Sequence, residues 1–325
     1  MERNLSMYPE VVTLGETMVV FEADLDGPLR YVNKFYKRHG GAESNVAIGV
    51  TRLGHTAGWI SRVGDDELGK YLVSSIRGEG VDTTYVTYDN NYPTSIYLKE
   101  RLREGSTQVY YYRKGSAASQ LNYLDFNWDY IKNAKIIHLT GITPLLSESC
   151  LEATRQVAKF AKENDITLSF DPNLRFKLIS ENPDAKDILL ELVSQADVFM
   201  PGLDEAEYLF GTSDYEEIAY RFHQNGGSKI CIKNGSVGTY YSTKDGESGF
   251  LPSYKVDRVI DPVGAGDGFA AGILSGLLEK KELSECVKLG ATVGAMVVTV
   301  KGDIEGLPCK KDIETFHDAE KDVLR

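Results

Sequence analysis

Short apolar runs rich in valine and isoleucine alternate along this chain with stretches in which apolar residues recur every three or four positions. The first pattern predicts strands over Val11–Leu14, Ala57–Val63, Lys135–Leu139, Thr167–Phe170, Asp197–Met200 and Lys229–Lys233. The second predicts helices over Ser44–Leu53, Glu67–Glu79, Glu148–Asn164, Ala185–Gln195, Asp204–Phe210 and Tyr215–Asn225, then Asp267–Lys280 and Leu283–Thr299. Strands alternating with helices in this way predict a largely parallel sheet covered by helices on both faces.

Two segments break the alternation. Residues 17–38 and 93–114 are strand-like with no helix following, and they read as a small antiparallel appendage inserted into the α/β body. Ligands of open α/β sheets bind outside the carboxyl ends of the strands, so such an insertion is expected to form a lid there. A further strand-like run, SYKVDRVI, leads into a glycine-rich stretch. With no repeat, low-complexity tract or linker, residues 1–325 are expected to form one large α/β domain.

Composition narrows the function classes. The net charge of −12 is dispersed, which argues against nucleic-acid binding by phosphate neutralisation and requires that any anionic ligand be met by local cations. Cys150, Cys231, Cys286 and Cys309 form no CxxC and suggest neither zinc nor a disulfide framework; buried free thiols are expected. The beginning of the chain has no apolar signal-like core and no run is long enough to span a bilayer, so the reading is cytoplasmic, with no membrane partner.

Candidate chemistry concentrates where strands meet glycines. In DPVGAGDGFAAG, a loop opens a helix whose first amides are unpaired, and glycines allow an anion to approach them closely. Gly264, Ala265 and Gly266 therefore read as an anion hole. Asp267 beside it is either a helix cap or a general base taking a proton from a hydroxyl that attacks a phosphate. No GxxxxGK[ST] occurs, so this is not a Walker loop.

Other stretches supply binding groups. GGAESNVAIGVTRLG offers Gly41 and, one turn into a helix, the Asn45 amide. Strand alternation sends Tyr111 and Arg113 to one face, with Tyr97 on the paired strand, a set suited to a carboxylate; a tyrosine-rich edge used for subunit pairing is the alternative. SFDPNLR places Arg175 in a loop at a strand's carboxyl end. Glu205, after PGLD, reads either as a water-mediated magnesium contact or as a helix-start residue favoured by the dipole.

Together these stretches resemble the ribokinase-like, or PfkB, carbohydrate kinase family over nearly the whole length. The likeness rests on GGAESNVAIGVTRLG with RVGDDELG, and on DPVGAGDGFAAG some 220 residues later. It implies an α/β fold: a three-layer α/β/α sandwich with a mostly parallel central sheet and a small β-sheet lid. It also implies ATP and Mg²⁺ as cofactors, with room for a monovalent cation such as K⁺, and Asp267 as catalytic base beside the Gly264–Gly266 anion hole. Lys233, Gly235, Ser236 and Gly238 of KNGSVG are expected near the phosphates. The family's NxxE appears here as Gly202 to Glu205, without the asparagine.

Within that family, VYYYRKGSA, HLTGITPLLS, SFDPNLR and the GE after the first strand resemble 2-keto-3-deoxygluconate kinases. The resemblance implies Gly41, Tyr97, Tyr111, Arg113 and Arg175 as substrate contacts, and transfer to the C6 hydroxyl of a sugar acid. Fructokinase- or ribokinase-type activity is the alternative within the family, and a non-catalytic sugar-acid sensor the alternative outside it. A homo-oligomer assembled through the lid is expected from the tyrosine- and β-branched-rich strands.

Overall fold

Alternation within the strands decides which side chains enter which layer. In the VVTL of the first strand, Val11 joins one core while Val12 and Leu14 join the other, as the two-residue period requires. The computed structural model describes residues 8–103 and 106–323. In chain order they form β1 (Val11–Leu14), β2 (Met18–Ala23), β3 (Phe35–Gly40), α1 (Ala42–Arg52), β4 (Ala57–Gly64), α2 (Glu67–Gly78), β5 (Val86–Asp89), β6 (Ile96–Arg103), β7 (Ser106–Tyr112) and α3 (Trp128–Lys132). There follow β8 (Ile136–Thr140), α4 (Glu148–Glu163), β9 (Thr167–Asp171), α5 (Phe176–Glu181), α6 (Ala185–Val193), β10 (Val198–Phe199), α7 (Leu203–Phe210) and α8 (Tyr215–Gln224). The chain ends with β11 (Lys229–Asn234), β12 (Gly238–Thr243), β13 (Ser248–Pro252), α9 (Ala265–Leu278), α10 (Leu283–Val297) and α11 (Lys310–Val323).

Helix starts follow local chemistry. Asp66, Ser147 and Asp214 accept the third backbone N–H of α2, α4 and α8 in turn. The large sheet has the order β13-β12-β11-β10-β9-β8-β1-β4-β5, parallel from β11 to β5, with β12 and β13 antiparallel at one edge. One face packs Trp59 and Val46 against Phe269 and Val293 of α9 and α10; the other packs Phe170 and Phe199 against Phe222 and Leu189. This is the three-layer α/β/α arrangement with a mostly parallel sheet. The chain leaves β1 for β4 on one side and returns to β8 on the other, so β1 and β8 border a switch point where the carboxyl ends leave a crevice.

The small sheet has the order β3-β2-β6-β7. It is mixed rather than antiparallel as expected: β2 pairs with β6 in parallel, since each enters the sheet from the body of the fold and each then turns back as its own hairpin arm. Residues 104 and 105 of the predicted 93–114 insertion lie outside the described residues.

Two other expectations need correction, and one hairpin was missed. SYKVDRVI is not a strand: the amides of Ile260 and Asp261 donate to Val298 O at the end of α10, at 2.8 and 3.3 Å, and Val259 and Ile260 are exposed. The strand signal there came from β-branched residues that find no sheet neighbour. The hairpin of β12 and β13, just before it, had not been anticipated. Cys309 is exposed, at the start of α11, whereas Cys150, Cys231 and Cys286 are buried free thiols.

Candidate active site

The carboxyl ends of β9 and β11, the start of α1 and the start of α9 all meet beneath the small sheet, around a cavity of about 450 Å³. Gly41, Asn45, Tyr97, Tyr111, Arg113, Arg175, Glu205, Lys233, Gly264, Gly266 and Asp267 line it. Residues chosen from separate stretches of sequence thus share one space because the parallel sheet brings its strand ends to one side.

The start of α9 is shaped for an anion. Gly264 has φ +80°, and a Cβ there would lie 2.3 Å from Asp303 O, so both conformation and close packing require glycine. Ala265 does not keep its amide free as expected: it turns back to Pro262 O at 3.3 Å. Gly266 and Asp267 occupy the first helical turn, where an N–H has no intrahelical acceptor. A Cβ on Gly266 would meet only Lys233 Nζ, at 3.7 Å, so this side of the turn is open to the cavity.

Asp267 is only 9% exposed and is held by two side-chain amides, one from the first turn of α1 and one from the loop after β9. Asn45 Nδ2 donates to its Oδ2 at 2.8 Å, and Asn173 Nδ2 to its Oδ1 at 3.4 Å. Asn45, expected to offer its amide as a binding group, therefore spends its amide donor on Asp267. Its Oδ1 is buried without a protein partner. Burial pushes the Asp267 carboxyl up to about 6; the Asn45 hydrogen bond, Arg175 and Lys233 oppose that rise, and Asp171 adds to it. A carboxylate poised there, beside an anion site, suits a base that is unprotonated at neutral pH yet able to take a proton.

Lys233 Nζ pairs with Asp171 Oδ2 at 2.6 Å, and the two acids Asp171 and Glu205 hold its charge against a desolvation that would remove it. Glu205 is the third residue of its helix: Oε1 accepts from Leu174 N and Oε2 from Gly202 N, each at 2.7 Å. The helix-start role is thus realised, and glycine in place of the family asparagine still supplies a backbone donor. Among the described residues no cluster of three or more His, Cys, Asp or Glu is placed to cage a metal ion. The oxygen-only donor set of Asp171 and Glu205 fits a hydrated Mg²⁺ held largely by phosphate and water, and does not fit an all-protein site.

At the other end, Tyr97 and Tyr111 face each other at 5.6 Å between ring centres, and the Arg113 guanidinium lies over the Tyr111 ring. Arg113 is ion-paired with the fully buried Glu16, which also accepts from Ser116 Oγ at 3.1 Å, while Arg113 Nε is buried without a partner. Gly41 packs so closely that a Cβ would lie 2.5 Å from Glu16 O. Arg175 is exposed at the cavity mouth, where its Nη1 donates to Leu174 O at 3.4 Å.

Not every expectation converges on the cavity. Lys233 lines it, but Gly235 and Ser236 form the turn into β12 and do not. Gly238 is demanded by packing instead, since a Cβ would meet Leu251 O at 2.4 Å. Conversely, Glu16, Glu43 and Asp261 lay in quoted stretches but were given no role, and Asp303 and Lys99 were not singled out. Lys99 was readable in principle, two positions beyond Tyr97 on the same strand and so on the same face. Glu43, Asp261 and Asp303 carry no such local signal, because their burial depends on distant segments.

Residues 9–310 match the pfkB family of carbohydrate kinases. A 2-dehydro-3-deoxygluconokinase of Bacillus subtilis (strain 168) is 41% identical over 316 residues, which cover 97% of each chain. Fructokinase-1 of Oryza sativa subsp. japonica is 33% identical over 93% of this chain and 96% of its own. The crystal structure of a putative ribokinase II from E. coli in complex with ATP and Mg²⁺ superposes with a TM-score of 0.89 at 26% identity, over 96% of this chain and 99% of that one.

Proposed function

The chain belongs to the pfkB family of carbohydrate kinases, and we propose that within it this enzyme transfers the γ-phosphoryl group of ATP to the C6 hydroxyl of 2-keto-3-deoxygluconate, giving 2-keto-3-deoxy-6-phosphogluconate. One observation carries the choice of substrate. In a protein of net charge −12, the cavity that holds Asp267 also holds Arg113 and Arg175, the cations a sugar-acid carboxylate requires.

Each group then has a task. Arg113, with Tyr97 and Tyr111, and Arg175 hold the carboxylate end, which directs the far hydroxyl toward Asp267. Asp267, its carboxylate steadied by Asn45 and Asn173, accepts the hydroxyl proton. As the new O–P bond forms and the bond to the ADP oxygen breaks, the amides of Gly266 and Asp267 face the transferring group. Lys233 adds positive charge beside them. Mg²⁺, bound with the nucleotide, supplies charge neutralisation of the phosphates. The small sheet is read as a lid that keeps water from the γ-phosphate, and the residues forming one catalytic unit are taken as a single domain. No step is assigned to a monovalent cation. Pairing of two copies through the outer face of the small sheet is inferred from Phe35, Tyr110 and Tyr112, which share that face and are exposed. Among the described residues no helix is long and apolar enough to cross a membrane, and the cytoplasm is the inferred compartment.

The Glu16–Arg113 pair favours a second reading. An arginine already neutralised by a buried carboxylate is also suited to the hydroxyls of a neutral hexose, as in a fructokinase. A coupled ADP-release assay with saturating MgATP compares 2-keto-3-deoxygluconate with fructose and ribose. Preference for the keto acid is expected; preference for a neutral sugar overturns the carboxylate assignment and leaves the kinase chemistry standing.

A further inference from the structure

Two successive inward positions of β6 reach the segments that flank the glycine loop. Tyr97 Oη lies 3.4 Å from Asp303 Oδ2, and Lys99 Nζ lies 2.6 Å from Asp261 Oδ2. Lys99 and Asp261 are both buried, so each charge depends largely on the other. The Asp261 carboxylate also works in a second direction: its Oδ1 accepts the Val263 N–H at 3.2 Å. Val263 immediately precedes Gly264, whose left-handed conformation starts α9. A continuous line of contacts therefore runs from the small sheet, through Lys99, Asp261 and Val263, to the turn that presents the Gly266 and Asp267 amides.

We propose that Lys99 is a positioning residue for phosphoryl transfer, which sets the glycine loop through Asp261 and Val263 and makes the seating of the small sheet over the cavity and the setting of that loop one event. A buried ion pair suits this task, because separating it strands a charge and so resists intermediate positions. Charge contributes as well. Burial raises the Asp303 carboxyl, Asp267 and Asp261 add to that rise, and the Lys99 ammonium opposes it. Without it, an incoming phosphate would meet uncompensated acids.

The proposal rests on the kinase reading above, and two kinds of measurement keep their failures apart. In steady-state assays with the keto acid and MgATP, Lys99→Met is expected to lower kcat by about 10- to 100-fold, the scale of a small misplacement of reacting groups. The KM for the sugar acid should change by less than about threefold. Lys99→Arg should keep most of the activity, and Lys99→Met combined with Asp261→Asn should lose no more than the worse single variant, since both interrupt one line of contacts. Ethylammonium added to Lys99→Ala should restore part of kcat, which a general loss of stability would not permit. A kcat for Lys99→Met near that of the parent, a loss confined to the sugar-acid KM, or a fully additive double variant overturns the proposal. Hydrogen exchange of the amides of residues 263–268 needs no substrate and is expected to quicken about tenfold in Lys99→Met. Should that variant fail to fold, the same reading is made on Lys99→Gln. Unchanged exchange rejects the positioning role even if the parent proves to phosphorylate another sugar.

Discussion

Asn45 Nδ2 donates to Asp267 Oδ2 across 2.8 Å, joining the first turn of α1 to the first turn of α9 over 222 positions of sequence. The bond does two things. It fixes the carboxylate's rotation, and it resists the rise in its proton affinity that burial causes.

Removing the base and removing its support therefore have different signatures. Asp267→Asn is expected to abolish turnover while preserving ATP binding; near-normal turnover would discard the assignment. Asn45→Ala is expected to lower kcat by about tenfold or more and to move the acid limb of the kcat–pH profile upward. The sign follows from the hydrogen bond: it favours the charged form, so its loss raises the carboxyl above its present value of about 6, and a higher pH is needed to free the base. A profile that shifts downward contradicts this coupling.

Arg113 is expected to govern the sugar acid and not the nucleotide. Losing a buried charge-assisted contact costs roughly 1.5–3 kcal/mol, so Arg113→Ala should raise the sugar-acid KM by about 10- to 100-fold. The KM for ATP should change little. Glu16→Gln should act oppositely, lowering the KM for the keto acid, because the competing buried carboxylate on Arg113 is removed. If both variants leave the keto-acid KM unchanged, the carboxylate is held elsewhere.

The two glycines of the loop separate folding from chemistry. Gly264→Ala forces a side chain into a left-handed conformation and against Asp303 O, and should lower thermal stability by at least about 1–2 kcal/mol. Gly266→Ala meets only the far end of Lys233 and should fold normally, yet lower kcat and raise the ATP KM by crowding the open side of the turn. Thermal unfolding together with steady-state kinetics distinguishes the two; equal melting temperatures would count against the strain at Gly264.

Glu43 links stability to pH. It is fully buried, with one oxygen accepting from Thr140 and Thr143 at 2.6 and 2.7 Å and the other without a partner. Burial raises its carboxyl from an ordinary 4.5 to about 7, which those hydrogen bonds only partly oppose. The native state thus binds a proton that the unfolded chain has released between those limits, so its contribution to stability falls as pH rises through this window. Relative to Glu43→Gln, the parent should lose on the order of 3 kcal/mol between pH 4 and pH 8, read from denaturant unfolding at a series of pH values. A constant difference across that range would show that Glu43 titrates in the native protein as it does in the unfolded chain, with no rise from burial.

Light scattering tests assembly through the small sheet. A dimer that dissociates on Tyr112→Lys is expected, since that side chain is 61% exposed on the outer face. A monomeric parent removes this mode of pairing.

Much of the scaffold was legible because its signals are local. A run such as IIHLT carries three large aliphatic residues and is buried at every position, as a strand covered on both faces is, and the periodic α4 begins at a serine cap. The glycine loop was legible too, since a positive φ followed by an apolar helix leaves a compositional mark. SYKVDRVI misled for the complementary reason: β-branched composition without a neighbour to bond is not a strand.

The α/β order, the two strand-like insertions, and the candidacy of Asp267, Arg113 and Arg175 are written locally, because each rests on residues close together in the chain. What those groups touch is set by the packed fold. Asn45 turned to Asp267, Arg113 to Glu16, Lys233 to Asp171 and Lys99 to Asp261, across separations that no local pattern encodes. The physical reason is that burial is a property of the packed whole: a carboxyl's proton affinity and a lysine's partner are set by what the rest of the chain places around them after water has been excluded.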